Sequence, residues 1–211
     1  MNRLILVGFF LFSASIVCRL YAQNYDGWVR GEVLFDDNSQ AMVDMRFNTQ
    51  LEEGLLQIRK GDGISSLSPE KVKSFAYIDD YNATIRNFVS VPIYSDYFQY
   101  TKKYFLEVIF EGDNLVLMRR AFSYALSLKI KKPMNFSNYE VLYLYDKEDQ
   151  ELFIYTIDTT WGPKANKKVL HQLLGKNKDA VKNYIRENKL FYTRVEDLVR
   201  IIEYYDDLNQ S

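Results

Sequence analysis

The sequence predicts an α+β fold, in which a mostly antiparallel β sandwich or open barrel precedes a small C-terminal cap of three helices. Between residues 26 and 160, short stretches alternate apolar with polar side chains at a period of two, and turn-forming residues separate them. Beyond residues 161–163 the apolar positions recur at helical spacing. The 17 tyrosines and 14 phenylalanines suit a sheet-rich chain, because aromatic side chains favour pleated surfaces.

The first half of the β region contains five predicted strands. In the first strand Val29, Gly31 and Val33 share one face, and residues 36–39 turn the chain into the second. The stretch Gly61-Asp62-Gly63 is interpreted as the turn that closes the third strand. The five predicted strands cover residues 28–35, 41–47, 55–59, 72–78 and 83–91, the last ending at Pro92.

Two predicted hairpins follow. The first joins residues 104–110 to 115–122 through Glu111-Gly112-Asp113-Asn114, and the second joins 139–145 to 152–157 through 146–150. Short strands at such spacing indicate antiparallel pairing rather than the alternating strands and helices of a parallel sheet.

Three apolar stripes, each one helical face wide, predict the helices of the cap. The first stripe ends at Gly175, and the capping-box pattern Thr193-Arg194-Val195-Glu196 precedes the third. Helices this short are not stable alone, so we expect them to dock on each other and on the sheet. The predicted organisation is a signal peptide over residues 1–22, a β-rich domain over 23–162 and the helical cap over 163–211.

Three segments of the chain resemble exported proteins of unknown function that are common in Gram-negative bacteria. These segments are residues 72–77 (Val-Lys-Ser-Phe-Ala-Tyr), residues 105–112 (Phe-Leu-Glu-Val-Ile-Phe-Glu-Gly) and residues 181–190, which run from Val181 to Leu190. The resemblance implies export and a layout of β structure followed by helices. It implies no catalytic residues.

The N-terminus is interpreted as a bacterial export signal. A charged start at Arg3 precedes an apolar run over residues 4–17, which is shorter than the roughly 20 residues of a bilayer span. Ala22 suits the cleavage position, so the mature chain is expected to begin at Gln23 and to work in the periplasm, at the cell surface or outside the cell. Lipidation of Cys18 or an uncleaved anchor are the alternatives.

The composition of the mature chain excludes several function classes. Loss of Arg3 and Arg19 leaves 25 basic against 28 acidic side chains, a formal charge of −3 that does not favour nucleic-acid binding. Cleavage also removes the single cysteine, so disulfides and thiol chemistry are not expected. No transmembrane segment is expected after residue 22, because charges interrupt every apolar run.

The candidate catalytic and metal-binding residues are weak, and no cofactor, metal site or catalytic residue is predicted. His171 is the only histidine, and its helical position directs it about 130° away from the first apolar stripe, towards solvent. The acid pairs Asp36-Asp37, Asp79-Asp80 and Glu148-Asp149 lie in predicted turns, where such side chains serve the backbone. Hydrolysis by paired carboxylates therefore remains only an alternative.

An aromatic-rich segment and a basic helical face are the two candidate binding surfaces. Tyr94, Tyr97, Phe98 and Tyr100 crowd one segment and would form a stacking or contact surface if they are exposed, although edge-strand core is the simpler interpretation. Residues 164–189 contain eight Lys/Arg against two acids. The candidate binding residues among them are Lys164, Lys167, Lys168, Lys178, Lys182 and Arg186.

The expected function is non-enzymatic binding of an envelope protein or an anionic surface. A barrel-type carrier of a small apolar ligand and a hydrolase with paired carboxylates are the alternatives. A closed barrel with an apolar cavity would favour the carrier, and carboxylates converging in a deep cleft would favour the hydrolase.

Overall fold

The computed structural model describes residues 27–47, 54–79, 83–95, 99–123, 138–159 and 162–210. Within these residues, ten strands form one antiparallel sheet with β10 and β4 at its two edges. The strands are β1 (Val29–Phe35), β2 (Gln40–Phe47), β3 (Leu56–Lys60), β4 (Gly63–Leu67), β5 (Val72–Asp79), β6 (Thr84–Ser95), β7 (Tyr100–Glu111), β8 (Leu115–Ser123), β9 (Asn138–Asp146) and β10 (Glu151–Ile154).

The sheet has the order β10-β9-β8-β7-β6-β5-β1-β2-β3-β4. Strands β1 to β4 form a meander on one side of β1, and β5 returns to pair with the other side of β1 before β6 to β10 continue outwards. Gly31 lies on the central strand, where an added Cβ would clash with the Ala76 carbonyl and the Met45 side chain. A glycine is therefore required at this close approach of neighbouring strands.

The sheet is strongly curled between β2 and β7. The rings of Phe47 on β2 and Phe105 on β7 are 5.6 Å apart, although four strand spacings separate them in the sheet order. In a flat sheet this separation would be about 19 Å, at about 4.8 Å per strand. The face that carries both rings is therefore concave, and we call it the inner face.

Aromatic rings fill the inner face where β2 and β7 approach each other. Phe75 stacks on Phe88 at 4.7 Å, and Phe47 and Phe105 each meet Phe75 edge-on at 5.0 Å. The surrounding side chains of Val33 and Met45 are completely buried. This aromatic cluster anchors β1, β2 and β5 to β7 as one unit.

The C-terminal part contains a small hairpin and three α-helices. The hairpin is β11 (Thr156–Thr159) with β12 (Gly162–Ala165), and the helices are α1 (Lys167–Leu173), α2 (Lys178–Glu187) and α3 (Val195–Gln210). The Asn166 side chain caps α1 by accepting from the Val169 backbone N–H at 3.4 Å. Gly175 follows with a φ of +50°, the left-handed conformation that ends helices, and starts a short 3₁₀ turn.

The helices pack on the same face of the sheet, over β8 and β9. Leu117, Leu142 and Leu144 from the strands share a core with side chains from all three helices. The helical members include Leu170, Val181, Ile185, Leu198, Ile201 and Ile202, all at most 5% exposed. The opposite face of β6 to β9 carries a separate apolar cluster around Leu106, Met118 and Tyr143.

The α+β class, the antiparallel sheet and the three C-terminal helices confirm the sequence prediction, while several boundaries differ. Gly63, interpreted as the end of a turn, begins the unpredicted strand β4 (Gly63–Leu67), because residues 61–62 alone turn the chain. β6 continues through Pro92, which pairs with Lys103 of β7 beyond the point where the pairing with β5 ends at Val89. No described helix is long and apolar enough to cross a membrane.

The strand predicted over residues 152–157 and the start of the third helix also differ in detail. The strand divides at Tyr155, beyond which the chain enters the β11–β12 hairpin. Helix α3 begins at Val195, and the Arg194 carbonyl accepts from the Leu198 N–H at 2.9 Å. Arg194 therefore stands at the N-cap position, one residue later than the predicted Thr193.

Candidate functional site

The structure distributes the six predicted basic residues over three consecutive elements. Lys164 lies on β12, two lysines lie on α1, and the remaining three residues lie on α2. Lys178 and Lys182 are half-buried and the other four are exposed. We refer to Lys164, Lys167, Lys168, Lys178, Lys182 and Arg186 as the basic face.

The charges of lysines from both helices act on His171. Burial lowers the pKa of the His171 imidazole below its ordinary value, and the positive charges of Lys182, Lys178 and Lys167 lower it further. Asp179 opposes this effect, but its contribution is the smallest of these.

The cations of this surface have no carboxylate partner in the part of the chain that the structure describes. Among the residues that the structure describes, none of the six members of the basic face has a carboxylate oxygen within 4.0 Å. Arg186 instead donates from Nη2 to the amide oxygen of Asn183 at 3.1 Å. Unpaired cations on adjacent elements create a positive potential that favours an anionic partner.

Two aromatic residues of the α2–α3 loop contact basic side chains, and one of these side chains, Lys167, belongs to the basic face. The Lys167 ammonium lies 4.2 Å from the centre of the Tyr192 ring, and the Arg194 guanidinium lies 4.1 Å from the centre of the Phe191 ring. Tyr192 also meets His171 edge-on at 6.3 Å, whereas the Phe191 side chain is 52% exposed. Sequence reasoning missed both residues, although an aromatic pair flanked by Lys189 and Arg194 was visible.

The predicted orientation of His171 needs correction. Its side chain is half-buried rather than solvent-facing, because Tyr192 covers that side of α1. The Nε2 atom is enclosed and has no hydrogen-bond partner among the described residues. The lowered pKa is consistent with this enclosure, since an imidazolium would place a charge among three lysines.

The aromatic-rich segment does not form one platform from its described members. Tyr94 pairs with Thr101 and Tyr100 pairs with Ser95 at the tip of the β6–β7 hairpin, so the two rings lie on opposite faces of the hairpin. Their exposures are 54% and 47%, and the Tyr94 hydroxyl donates to Gln99 at 2.9 Å. Tyr97 and Phe98 lie outside the described residues, as do residues 1–22.

A buried ionic cluster on the inner face was not predicted from the sequence. The Glu107 carboxylate accepts from Arg86 Nε and Nη2 at 2.7 and 2.8 Å, and from Arg119 Nε and Nη2 at 3.1 and 2.7 Å. Arg86 also lies over the Phe88 ring at 5.2 Å. The signal was the alternation of β6 and β7, where Arg86 and Glu107 share the face of Phe88 and Phe105.

The charges of this ionic cluster are mutually satisfied. Burial disfavours ionisation of Glu107, but the hydrogen bonds from Arg86 and Arg119 outweigh it and hold the pKa of the carboxyl below its ordinary value. The hydrogen bond to Glu107 likewise raises the pKa of the Arg86 guanidinium. Two arginines saturate the carboxylate oxygens, so the cluster links strands rather than offering a free acid or base.

The predicted acid pairs serve different local roles. Asp37 accepts from the Ser39 backbone N–H at 2.9 Å, which is the expected turn function. Asp79 lies 3.9 Å from Arg86, and Asp80 is outside the described residues. Glu148 and Asp149 line a cleft of about 190 Å³ together with Asp146, Glu151, Gln172 and Tyr205.

The acidic cleft has no arrangement suited to a metal ion. Asp146 already accepts from the Glu148 and Asp149 backbone N–H groups at 2.9 and 3.4 Å. In the part of the chain that the structure describes, no group of three His, Cys, Asp or Glu residues is placed to hold a metal.

Comparisons of the chain with protein-family models, with curated proteins and with solved structures found no match. Its function is therefore proposed from the chemistry of its own residues, among which the segment 164–189 carries eight Lys/Arg against two acids.

Proposed function

We propose that this protein is a non-enzymatic interaction protein of the bacterial envelope, exported by its N-terminal signal. In this proposal it binds an anionic partner through the basic face. The observation that carries the proposal is the occurrence of the six cations of the basic face on three consecutive elements, none with a carboxylate oxygen within 4.0 Å among the described residues. Positively charged groups that are grouped on one surface attract anions at long range and raise the rate at which an anionic partner associates.

The contrast between the basic face and the whole chain supports the same proposal. Residues 164–189 carry eight Lys/Arg against two acids, whereas the full sequence has a formal charge of −1. Like charges at neighbouring helical positions oppose a helix by a few tenths of a kcal/mol each. A partner that neutralises them would offset this cost, which is a physical reason for binding to occur at this face.

The carrier alternative has less support. Phe47, Phe75, Phe88 and Phe105 fill the curled part of the inner face with ring centres 4.7 to 5.6 Å apart. Such spacing is that of close-packed rings and leaves no room for an apolar ligand among them. A carrier would need a cavity elsewhere.

The proposal is tested by salt-dependent binding. A tagged form of the exported protein is used to recover partners from envelope extracts, and binding of the recovered partner is measured between 0.05 and 0.5 M salt, across about a threefold change in Debye length. Replacing Lys167, Lys168, Lys178 and Lys182 with Gln should weaken association at least tenfold at low salt. Glutamine keeps good helix propensity, so the fold should persist.

A control variant distinguishes an effect of where the charges are removed from an effect of the lower net charge alone. Replacing Lys60, Lys71, Lys73 and Lys102 with Gln removes the same number of charges from the sheet and from the turn before β5, so binding should remain within twofold of the parent. Salt-independent binding would contradict the proposal, as would equal losses in both variants.

A further inference from the structure

We infer that the anionic partner of the basic face is a lipid surface, with Phe191 entering its apolar layer. The inference rests on the proposed function, and it names the chemical class of the partner. Three features carry it: the spread of the cations, the exposure of Phe191 and the rigid mounting of the loop that presents this ring.

The spread of the cations suits an extended anionic surface. The basic face spans β12, α1 and α2, and the adjoining loop adds exposed Lys189 and Arg194. A single compact anion would be held by a few donors around one point, whereas a membrane offers phosphate groups over its whole plane. Each Lys or Arg close to an anionic membrane adds to the attraction, so several dispersed cations act together in binding.

Phe191 supplies an apolar contact beside these cations. Its ring is 52% exposed, although the neighbouring Leu190 is 7% exposed and belongs to the helical core. Arg194 lies over the Phe191 ring, and Lys167 lies over the Tyr192 ring. Such pairs of aromatic and cationic groups anchor proteins at the membrane–water boundary. An exposed phenylalanine among basic residues is the composition of a surface that adsorbs to anionic bilayers.

The loop that carries Phe191 is held in place before any partner arrives. The Phe191 backbone N–H donates to Asp197 Oδ2 at 2.9 Å, and the Tyr155 hydroxyl donates to the Tyr192 carbonyl at 2.8 Å. Tyr155 is itself completely buried. A ring presented by a fixed loop inserts without an additional ordering cost, which favours binding.

The test compares lipid vesicles with a water-soluble polyanion. The exported form of the protein and its variants are incubated with phosphatidylcholine vesicles, with vesicles containing 30 mol% phosphatidylglycerol, and with dextran sulfate. We expect binding to the anionic vesicles at least tenfold above the zwitterionic baseline, and at least a tenfold loss when Lys167, Lys168, Lys178 and Lys182 become Gln.

Phe191→Ala distinguishes a lipid surface from other anions. The substitution should weaken binding to anionic vesicles about fivefold, because the apolar area that inserts is lost, and should leave binding to dextran sulfate unchanged. Ile85→Ala is the control, since Ile85 is 67% exposed on β6 and should have no effect on either.

The outcomes separate this inference from the proposed function. Binding to dextran sulfate or to a recovered protein that depends on the basic face, without binding to anionic vesicles, would overturn the lipid inference and retain the proposed function. Vesicle binding that Phe191→Ala does not change would also overturn it. Loss of every basic-face effect would overturn both.

Discussion

Glu107 is a carboxylate at a position where the strand pattern favours an apolar side chain. It is 7% exposed and lies two residues after Phe105, on the same inner face of β7. Burying one carboxylate alone is costly, but two arginines provide four short hydrogen bonds to it. The three side chains join β6, β7 and β8 between the aromatic cluster and the helix-covered core.

We expect Glu107→Gln to lower the free energy of unfolding by about 2 kcal/mol, because Arg86 and Arg119 lose a charged acceptor. The arginine side chains are 23% and 26% exposed, so water relieves part of the loss. Urea unfolding measures the change. Glu70→Gln is the control, since its ion pair with Lys103 is exposed and should contribute less than about 1 kcal/mol. Equal effects of the two substitutions would contradict this account.

His171 reports on the arrangement of the basic face. Because the chain contains one histidine, its imidazole resonances can be followed by NMR without ambiguity. We expect a titration midpoint below 6.5, since burial and the charges of Lys182, Lys178 and Lys167 lower the pKa. Replacing Lys178 and Lys182 with Gln should raise the midpoint towards 6.5, while replacing Lys60 and Lys71 should not. A midpoint at 6.5 in the parent protein would contradict the burial of the imidazole, and a midpoint that the Lys178 and Lys182 substitutions leave unchanged would show that these lysines do not act on His171.

At the scale of elements, the end of α3 is fastened to the turn between β7 and β8 by one buried carboxylate. Asp206 is 6% exposed and accepts from the Asp113 and Asn114 backbone N–H groups at 2.7 and 3.1 Å. It also accepts from Asn114 Nδ2 at 2.7 Å. Gly112 leaves room for this contact, because a Cβ there would clash with the Asp206 carboxylate and with Ile202.

We expect Asp206→Ala to destabilise the protein by about 2 kcal/mol and to expose the turn, since it leaves three donors without their acceptor. Hydrogen exchange at the Asp113 and Asn114 amides should accelerate relative to amides in β1. Glu203→Gln on the exposed side of the same helix is the control and should change the stability by less than about 0.5 kcal/mol. Unchanged exchange at both amides would show that Asp206 does not hold the turn.

At the scale of the whole molecule, the lowered pKa values of His171 and Glu107 predict a loss of stability in acid. His171 and Glu107 both have lowered pKa values in the folded state, so the unfolded chain binds more protons as the pH falls. The contribution of His171 is complete above its ordinary pKa of 6.5 and is lost as the pH falls towards the folded value. The contribution of Glu107 to stability is complete above its ordinary pKa of 4.5 and is lost as the pH falls below that value.

Urea unfolding between pH 8 and pH 3 tests this prediction. The free energy of unfolding should decline in two ranges, below about pH 6.5 and below about pH 4.5. The first decline should be absent from His171→Ala and the second reduced in Glu107→Gln. Stability that is independent of pH down to 4 would contradict the role assigned to His171. A second decline that is unchanged in Glu107→Gln would contradict the role assigned to Glu107.

Local patterns in the sequence determined the types of most elements. Alternating side chains predicted strands such as β1, β5 and β9, because successive residues of a strand point to opposite faces wherever the strand lies. Apolar stripes predicted α1, α2 and α3 for the corresponding reason, and Gly175 marked the end of the first. The helical cations of the basic face were also visible, since their spacing on each helix is a property of the helix itself, whereas Lys164, expected on the first helix, lies on β12.

Only the tertiary structure decided which of these elements meet. The pairing of β1 with β5, the curl that brings Phe47 to Phe105 and the link from Asp206 to the β7–β8 turn join residues far apart in sequence. The placement of Tyr192 against His171 has the same origin, and with it the exposure of Phe191. A periodic pattern determines the buried face of each element, but its neighbours are decided by the packing of all elements together.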